Sequence, residues 1–372
     1  MYRIYGDNDV ATERFNLFTI YDPDQFVDGY IASNMSMTKS LSKTGNFSFT
    51  LPPNNPAWGD ITPLQTTIIV VWDDGTEKCI WYGRVIGASH DLYKNLQVKC
   101  EDALAFLSDI LIRPFKYRAG VNVAGSTIDN HLITVLAMYN SRCSKKRLFG
   151  NNIIISTPEE FHTTDTYAVK GVESFVTVWD EITGMIAYGD RVYITLDYTG
   201  ISGGASIPKL IIASMPYANA DPNYPIEATV NLVSYSSEAD YTELYTSLIP
   251  LDDNNDTLPG NNYRIDSSLA TQYGVIEKTL ALGCLDNEGL VRTFCYNVME
   301  SNARRIIPKL SIGALDLFYT GDTSVAIEPG LAVRIKSPPH GIDALYLCTE
   351  SSVDLENPEN ATYSFEYYRS VT

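Results

Sequence analysis

Two short motifs in one segment contain residue types that serine acyl-transfer enzymes use. Ser40 and Lys43 have the SxxK spacing of a nucleophilic serine, and Lys43 also begins the triplet Lys43-Thr44-Gly45. In such enzymes the serine and the KTG triplet come from different elements that face each other across the active site. Here the two motifs share Lys43, and the chain contains no SDN motif. Residues that overlap in the chain cannot face each other across a cleft, so we interpret both matches as coincidental.

An acidic segment offers oxygen ligands for a cation. It runs Asp252-Asp253-Asn254-Asn255-Asp256 and resembles the start of a calcium-binding loop. It lacks the glycine at the sixth position and the bidentate glutamate at the twelfth. The segment therefore predicts a solvated surface turn, with opportunistic cation binding as the alternative.

Other pairs of chemically active residues have no supporting motif. His340 lies three residues before Asp343, but the pattern there is a turn between two strands, and no GxSxG accompanies it. Glu159-Glu160 is an ordinary pair in a chain this acidic. The sequence contains no GxGxxG, Walker or HExxH motif, and its histidines are dispersed. We therefore predict no enzyme activity, no catalytic residue, no metal-binding residue and no cofactor.

Composition narrows the functional class further. The chain has 27 basic and 45 acidic residues, a formal net charge of −18, and 45% hydrophobic residues. Nucleic-acid binding needs clustered cations, whereas the basic residues here are scattered, so we predict no sequence-specific nucleic-acid binding. The six cysteines have no paired spacing and predict small buried side chains in a reducing compartment. The N-terminal residues do not resemble a signal peptide, and no stretch is long and apolar enough to predict a membrane span.

The segment 43–58, KTGNFSFTLPPNNPAW, predicts a half-buried strand and its end. Phe47, Phe49 and Leu51 alternate with polar residues, which is the period of a strand with one buried face. Two prolines and an Asn-Asn-Pro turn signal follow and stop the strand. Residues 66–72 and 78–87 predict a hairpin, and 96–100 predicts a strand that leads into a helix over 103–111.

The middle of the chain predicts a mixture of helices and strands. We expect helices over Ser126–Met138, capped by Ser126, over Val172–Ile182, stopped by Gly184, and over Val298–Ile307, capped by Asn297. Residues 185–189 and 191–197 predict a tight strand pair, and further strands are expected at 209–212, at 228–238 and throughout the last 60 residues.

Several segments together resemble one family, in the same order along the chain. They read TGNFSFTLPPNNPAW at 44–58, IWYGRVIGASHDLYKNLQVKCEDALAFLSDILIRP at 80–114, YGVIEKTLAL at 273–282, and EPGLAVRIKSPPHGIDALYLCTESSVDLENPENATYSF at 328–365. They resemble the N-terminal hub module of phage tail-associated lysins and prophage tail endopeptidase proteins. That module is similar to the central baseplate hub protein of contractile-tailed phages.

The resemblance implies a mainly β fold with α+β insertions. Two β-barrel-like domains would lie at 1–111 and at 205–250 plus 309–372. Two smaller mixed domains would lie at 112–204 and, inserted in the second barrel, at 251–308.

The resemblance also implies a structural role at the tip of a phage tail. Three copies would form a ring that closes the distal tail tube, docks to the distal tail protein ring and opens for DNA passage. Other implied partners are the C-terminus of the tape measure protein and tail fibre or receptor-binding proteins. Family members carry a lytic or adhesive region after the hub, and this sequence ends at Thr372, so lytic activity is not carried over. The alternative function is a module of the tail tip that binds a host receptor or cell-wall carbohydrate.

Overall fold

The computed structural model of the chain describes most of its length. The described residues are 1–9, 15–73, 75, 77–119, 122–123, 125–150, 154–157, 161–162, 169–187, 189–198, 201, 208–216, 218–219, 226–251, 265–266, 268–281, 288–315, 326–357 and 360–370. The fold is mainly β with a few helices, as the sequence predicts. Among the described residues, no helix has the length and apolar character that crossing a bilayer requires.

The first part of the chain contains long antiparallel strands. They are β1 Tyr2–Asp7, β2 Phe18–Tyr21, β3 Ser33–Ser40, β4 Asn46–Leu51, β5 Thr67–Asp73, β6 Glu77–His90 and β7 Leu96–Asp102. Short 3-10 helices span Pro23–Asp28, Pro56–Gly59 and Ala103–Ser108. The predicted strand at 46–51 and the hairpin formed by β5 and β6 are both confirmed. The helix expected at 103–111 is shorter than predicted, because its 3-10 turn ends at Ser108.

The middle part contains shorter elements. They are β8 Leu111–Ile112, β9 Phe115–Lys116, β10 Arg118–Ala119, β11 Asn122–Val123, α1 Ile128–Asn140, a 3-10 turn Lys145–Arg147, β12 Ile154–Ser156, β13 Gly171–Val172, β14 Val176–Thr177, α2 Val178–Ile186, β15 Val192–Asp197 and β16 Lys209–Ser214.

Three predictions for the middle part are wrong in detail. Helix α1 begins after Thr127, whose hydroxyl accepts a hydrogen bond from Asn130 N, whereas Ser126 bridges to Val169. Helix α2 begins at Val178 instead of Val172, and Gly184 lies inside it. Residues 185–186 belong to α2, so β15 pairs with β16 and not with the expected strand at 185–189.

The last part returns to long strands. Its elements are β17 Ala218–Asn219, β18 Ile226–Glu227, β19 Leu232–Glu238, β20 Ser247–Leu251, β21 Ile265–Asp266, α3 Ala270–Tyr273, β22 Glu277–Ala281, α4 Glu288–Ala303, β23 Lys309–Leu315, β24 Leu331–Ser337, β25 Ile342–Asp354 and β26 Asn360–Ser370, with 3-10 turns at Arg304–Ile306 and Pro338–His340. Helix α4 begins well before Val298, so Asn297 is an interior residue and the predicted cap is wrong.

The two ends of the chain contribute to one large sheet. Its main path is β19-β23-β26-β25-β3-β4-β7-β6-β5-β1-β2, and β24 joins it beside β25. The connection between the two ends is the antiparallel pair β25 and β3, in which Val353 lies opposite Met37. The predicted domain limits stay a prediction.

The sheet encloses one of two large apolar cores. This sheet core draws side chains from both ends of the chain, among them Phe47, Phe49, Trp81, Tyr363 and Phe365. The second is the middle core, in which α1, α2 and the 3-10 helix at 103–108 pack against the other face of β5 and β6. Its largest side chains include Tyr82, Phe106, Tyr139, Phe149 and Phe294. Strand β5 contributes to both cores, which explains why its apolar residues run without alternation.

Candidate interaction surfaces

The residues of the SxxK and KTG motifs lie at a turn of the large sheet. Ser40 ends β3, and its hydroxyl lies 3.1 Å from Glu350 Oε2 on the neighbouring strand β25. Lys43 to Gly45 follow the turn at Leu41–Ser42 and lead into β4, and Gly45 N donates to Asp102 Oδ2 at 2.7 Å. The serine therefore ends one strand, and the triplet lies in the connection that follows it.

His340 and Asp343 have separate partners. His340 Nδ1 lies 2.6 Å from Ser337 Oγ, and its ring stacks on Tyr235 with centroids 4.2 Å apart. Asp343 accepts two hydrogen bonds from Arg334, at 2.8 and 2.9 Å, which lower the pKa of its carboxyl. Glu159-Glu160 and Asp252–Asp256 lie outside the described residues. Within the described ranges, no group of three histidine, cysteine or acidic side chains is placed to hold a metal ion.

A buried polar network in the middle core was not predicted from the sequence. His131 on α1 is fully buried, with Nε2 2.8 Å from Glu181 Oε1 on α2 and Nδ1 3.0 Å from the hydroxyl of Tyr117. Its ring also stacks on Phe115. The signal available in the sequence was a histidine on the apolar face of a helix, three residues after Ile128. The imidazole of His131 hydrogen-bonds to two other segments and so connects three parts of the chain. Because the ring is fully buried, it is not accessible to a substrate, and we interpret the network as one that stabilises the fold.

A second buried polar group lies where the two cores meet. Asp102 ends β7 and is 5% exposed; its carboxylate accepts from Gly45 N and, at 3.0 Å, from Leu104 N. The second bond caps the 3-10 helix that enters the middle core. Burial outweighs these bonds and raises the pKa of Asp102 to about 7. This carboxyl therefore couples the β3–β4 turn to the helix.

The tip of the β6–β7 hairpin exposes two large apolar side chains in a turn of fixed conformation. Leu92 is 91% exposed and Tyr93 is 78% exposed. Asp91 fixes the turn because its Oδ1 accepts from Tyr93 N and Asn95 N, at 2.8 and 2.9 Å. Trp58 supports the tip from the side, since its indole N–H donates to Lys94 O at 3.1 Å. Two apolar side chains held this way in solvent are typical of a contact surface.

A second exposed apolar group lies beside β20 and β22. Tyr241 and Tyr273 have ring centroids 6.2 Å apart, and Val275 and Ile276 follow in the chain; all four side chains are at least 36% exposed. The described residues therefore present more than one exposed apolar group.

Comparison with solved structures relates this architecture to tail proteins. A tail protein from Neisseria meningitidis MC58 is 14% identical, with a TM-score of 0.63 over 98% of this chain and 96% of that chain. The prophage tail protein gp18 from Listeria monocytogenes EGD-e is 11% identical, with a TM-score of 0.59 over 99% and 95%. The chain has the fold of phage tail proteins. A 43 kDa tail protein of prophage MuSo2 from Shewanella oneidensis gives 13% identity and a TM-score of 0.59 over 99% and 98%.

The comparisons by sequence give a different result. No protein-family model matches the chain, and no curated protein matches it. At 11 to 14% identity the structural similarity establishes a shared fold. The mainly β fold expected from the sequence is therefore confirmed, and it is shared with phage tail proteins.

Proposed function

We propose that the chain is a structural subunit of a phage tail-tip hub. Three copies form a closed ring at the distal end of the tail tube, dock to the distal tail protein ring and open when DNA passes. The observation that carries the proposal is the match with tail proteins over at least 95% of both chains in each pair. In each of these three pairs the match extends over nearly the whole of both chains.

The exposed surfaces support an assembly role. A closed ring needs contacts between two different surfaces of the same subunit. The hairpin tip with Leu92 and Tyr93 protrudes with a fixed backbone, and we assign it to contact with the next subunit. The C-terminus of the tape measure protein and tail fibre or receptor-binding proteins are further proposed partners at the tail tip of the virion.

The proposal includes no enzyme activity. The sequence motifs that suggested acyl transfer fall on one turn, and the buried His131 network is enclosed by protein. The net charge of −18 further suggests an acidic ring lumen, which would keep passing DNA from binding. A positively charged lumen in a structure of the assembled ring would contradict this part.

The ring is tested by measuring mass in solution. Mass photometry of the purified chain, alone and with the distal tail protein, is expected to give a trimer in at least one condition. A Leu92→Ser, Tyr93→Ser double variant should form a weaker trimer, because it removes apolar contact area. On dilution it should therefore dissociate at protein concentrations at which the wild type is still assembled. Val27→Ser, at a fully exposed position on a different element, is the control. A monomer in both conditions that binds cell-wall polysaccharide would contradict the hub and support the carbohydrate-binding alternative.

A further inference from the structure

A polar cleft lies between the middle part of the chain and the last strands of the sheet. Its walls come from the end of α2, β15, the end of α4, the start of β23 and β26, and it encloses about 320 Å³. That volume is in the range of pockets that hold small ligands. The residues that concern binding are Asp190, Arg191, Tyr193, Arg304, Lys309 and Glu366.

Two of the three cations at the cleft already have carboxylate partners. Arg304 pairs with Asp190, and Lys309 Nζ lies 2.9 Å from Glu366 Oε1. The hydroxyl of Tyr193 donates to the other oxygen of Glu366 at 3.1 Å. Within each ion pair the positive and negative charges neutralise each other, so neither pair offers a free charge to a ligand.

Arg191 is the cation that remains. Among the described residues, no carboxylate oxygen lies within 4.0 Å of its guanidinium. Its nearest acceptors are the backbone oxygens of Tyr367 and Tyr368, at 3.4 and 3.5 Å, and its guanidinium carbon lies 5.0 Å from the ring centroid of Tyr368. Burial and the neighbouring Arg304 lower the pKa of Arg191. The adjacent Asp190 acts in the opposite direction on this pKa, but its carboxylate is paired with Arg304. A half-buried guanidinium whose hydrogen bonds among the described residues are long and go to backbone oxygens is under-satisfied.

The backbone holds Arg191 in an unusual conformation. Its φ is 53°, in the left-handed region that side chains other than glycine, asparagine and aspartate rarely adopt. The backbone oxygen of Arg191 accepts from Met215 N at 2.9 Å, which fixes the residue against β16. Strained residues of this kind are concentrated at ligand sites, because the surrounding fold must maintain them.

The cleft places apolar side chains beside this cation. Ile186, Val192 and Ile307 line the cleft; the first two are buried and Ile307 is half-buried. A ligand that satisfies both features carries one negative charge next to an apolar group. Phosphate carries nearly two charges at neutral pH, whereas among the described residues of the cleft Arg191 is the one cation without a carboxylate partner. A carboxylate has one charge and the planar shape that a guanidinium binds with two parallel hydrogen bonds.

We propose that this cleft binds the C-terminal carboxylate of a partner polypeptide whose last residue is apolar. Arg191 binds the carboxylate, and Ile186, Val192 and Ile307 contact the terminal side chain. Capture of a chain terminus is an established mode of peptide recognition. The inference does not depend on the ring, because the isolated chain contains every residue that the cleft uses.

The test is titration calorimetry of the whole chain with the peptide acetyl-Gly-Ser-Leu. The peptide with a free carboxylate is expected to bind, and the same peptide ending in an amide should bind at least about tenfold more weakly. Arg191→Gln should weaken binding of the free acid by a similar factor. Arg334→Gln is the matched control, because it removes an arginine whose partner Asp343 lies elsewhere, and it should bind as the wild type does.

Other outcomes would overturn the proposal. They are equal binding of acid and amide, unchanged binding by Arg191→Gln, tighter binding of inorganic phosphate than of the peptide, or no binding up to the solubility limit of the peptide. Thermal melting checks that each variant is folded. If Arg191→Gln does not fold, Arg191→Lys replaces it in the test. Lysine keeps the positive charge but lacks the planar guanidinium, so this variant should bind the free acid several-fold more weakly than the wild type.

Discussion

The sheet core and the middle core differ in how their interiors are specified. In the sheet core Phe47 packs between Phe49 and Trp81, with ring centroids 5.3 and 5.4 Å away. The middle core contains, among its apolar side chains, the imidazole of His131 hydrogen-bonded to two other segments. Apolar packing depends on volume and is non-directional, whereas a buried hydrogen bond needs one particular partner. The sheet core therefore tolerates exchange of similar residues, and the middle core depends on individual contacts.

The largest effect is expected from opening a cavity in the sheet core. Phe47→Ala should lower the free energy of unfolding by about 3–5 kcal/mol, because Phe47 is 1% exposed and its ring fills the interior. Urea denaturation monitored by circular dichroism measures the loss. Phe26→Ala, at a site that is 48% exposed, is the control and should change stability by less than about 0.5 kcal/mol. Equal losses for the two variants would contradict the assignment of Phe47 to a packed core.

The next effect concerns Asp102, at the boundary of the two cores. Its pKa rises from 3.8 to about 7 on folding, mainly through burial, so the folded state binds the proton more tightly than the unfolded state. The protonated carboxyl therefore contributes to the free energy of unfolding. This contribution is fully present below the unfolded pKa of 3.8 and is lost as the pH rises through the folded pKa of about 7. Relative to Asp102→Asn, which does not titrate, the wild type should lose at most about 1.4 kcal/mol per pH unit within this window.

Unfolding free energies of both proteins, measured across that pH window, check the prediction. A wild type that gains stability relative to the variant as the pH rises would show that the hydrogen bonds from Gly45 and Leu104 outweigh burial.

Removing one partner of His131 tests the middle core. Glu181→Ala leaves a fully buried imidazole nitrogen without its carboxylate and should cost about 1–3 kcal/mol. Hydrogen exchange should become faster in α1 and α2 and stay unchanged in β4 and β7. Glu173→Ala changes an exposed glutamate just before α2 and is the control. Faster exchange throughout both cores would contradict a difference between them.

The contrast between the cores also explains which elements were predictable. The alternation of Phe47, Phe49 and Leu51 shows the period of a strand directly, and the strands near the C-terminus have similar patterns. The start of α2 was misplaced because Val172 and Val176 lie in two-residue strands, too short to have a detectable period. The contact between His131 and Glu181 joins residues 50 positions apart, and no local pattern specifies it.

The position of Arg191 was equally beyond prediction. Its role depends on the packing of α2, α4 and β26 around it, which leaves no carboxylate oxygen of the described residues within 4.0 Å of its guanidinium and which no local sequence pattern specifies. The mainly β fold was predictable because several segments resemble, in the same order, a family with that fold. The pairing of strands across the sheet required the structure.

The smallest effect is expected at the start of α1, where the sequence suggested Ser126 as the cap. Thr127→Ala should cost about 1 kcal/mol, because the Thr127 hydroxyl accepts from Asn130 N at 3.3 Å. Ser126→Ala should change stability by less than about 0.5 kcal/mol, since Ser126 pairs with Val169 through its backbone. Thermal denaturation of the two variants compares them, and the reverse order would restore Ser126 as the cap.

The pairing of β3 with β25 has a consequence for how the chain is made. Ser40 lies opposite Glu350, 310 residues later, so β3 has no partner on that side when it leaves the ribosome. At translation rates of about 5–20 residues per second, the wait is roughly 15–60 s. During that time β3 exposes unpaired backbone groups to other nascent chains. Chaperone occupancy on ribosomes that have not yet reached Glu350 would reveal this interval.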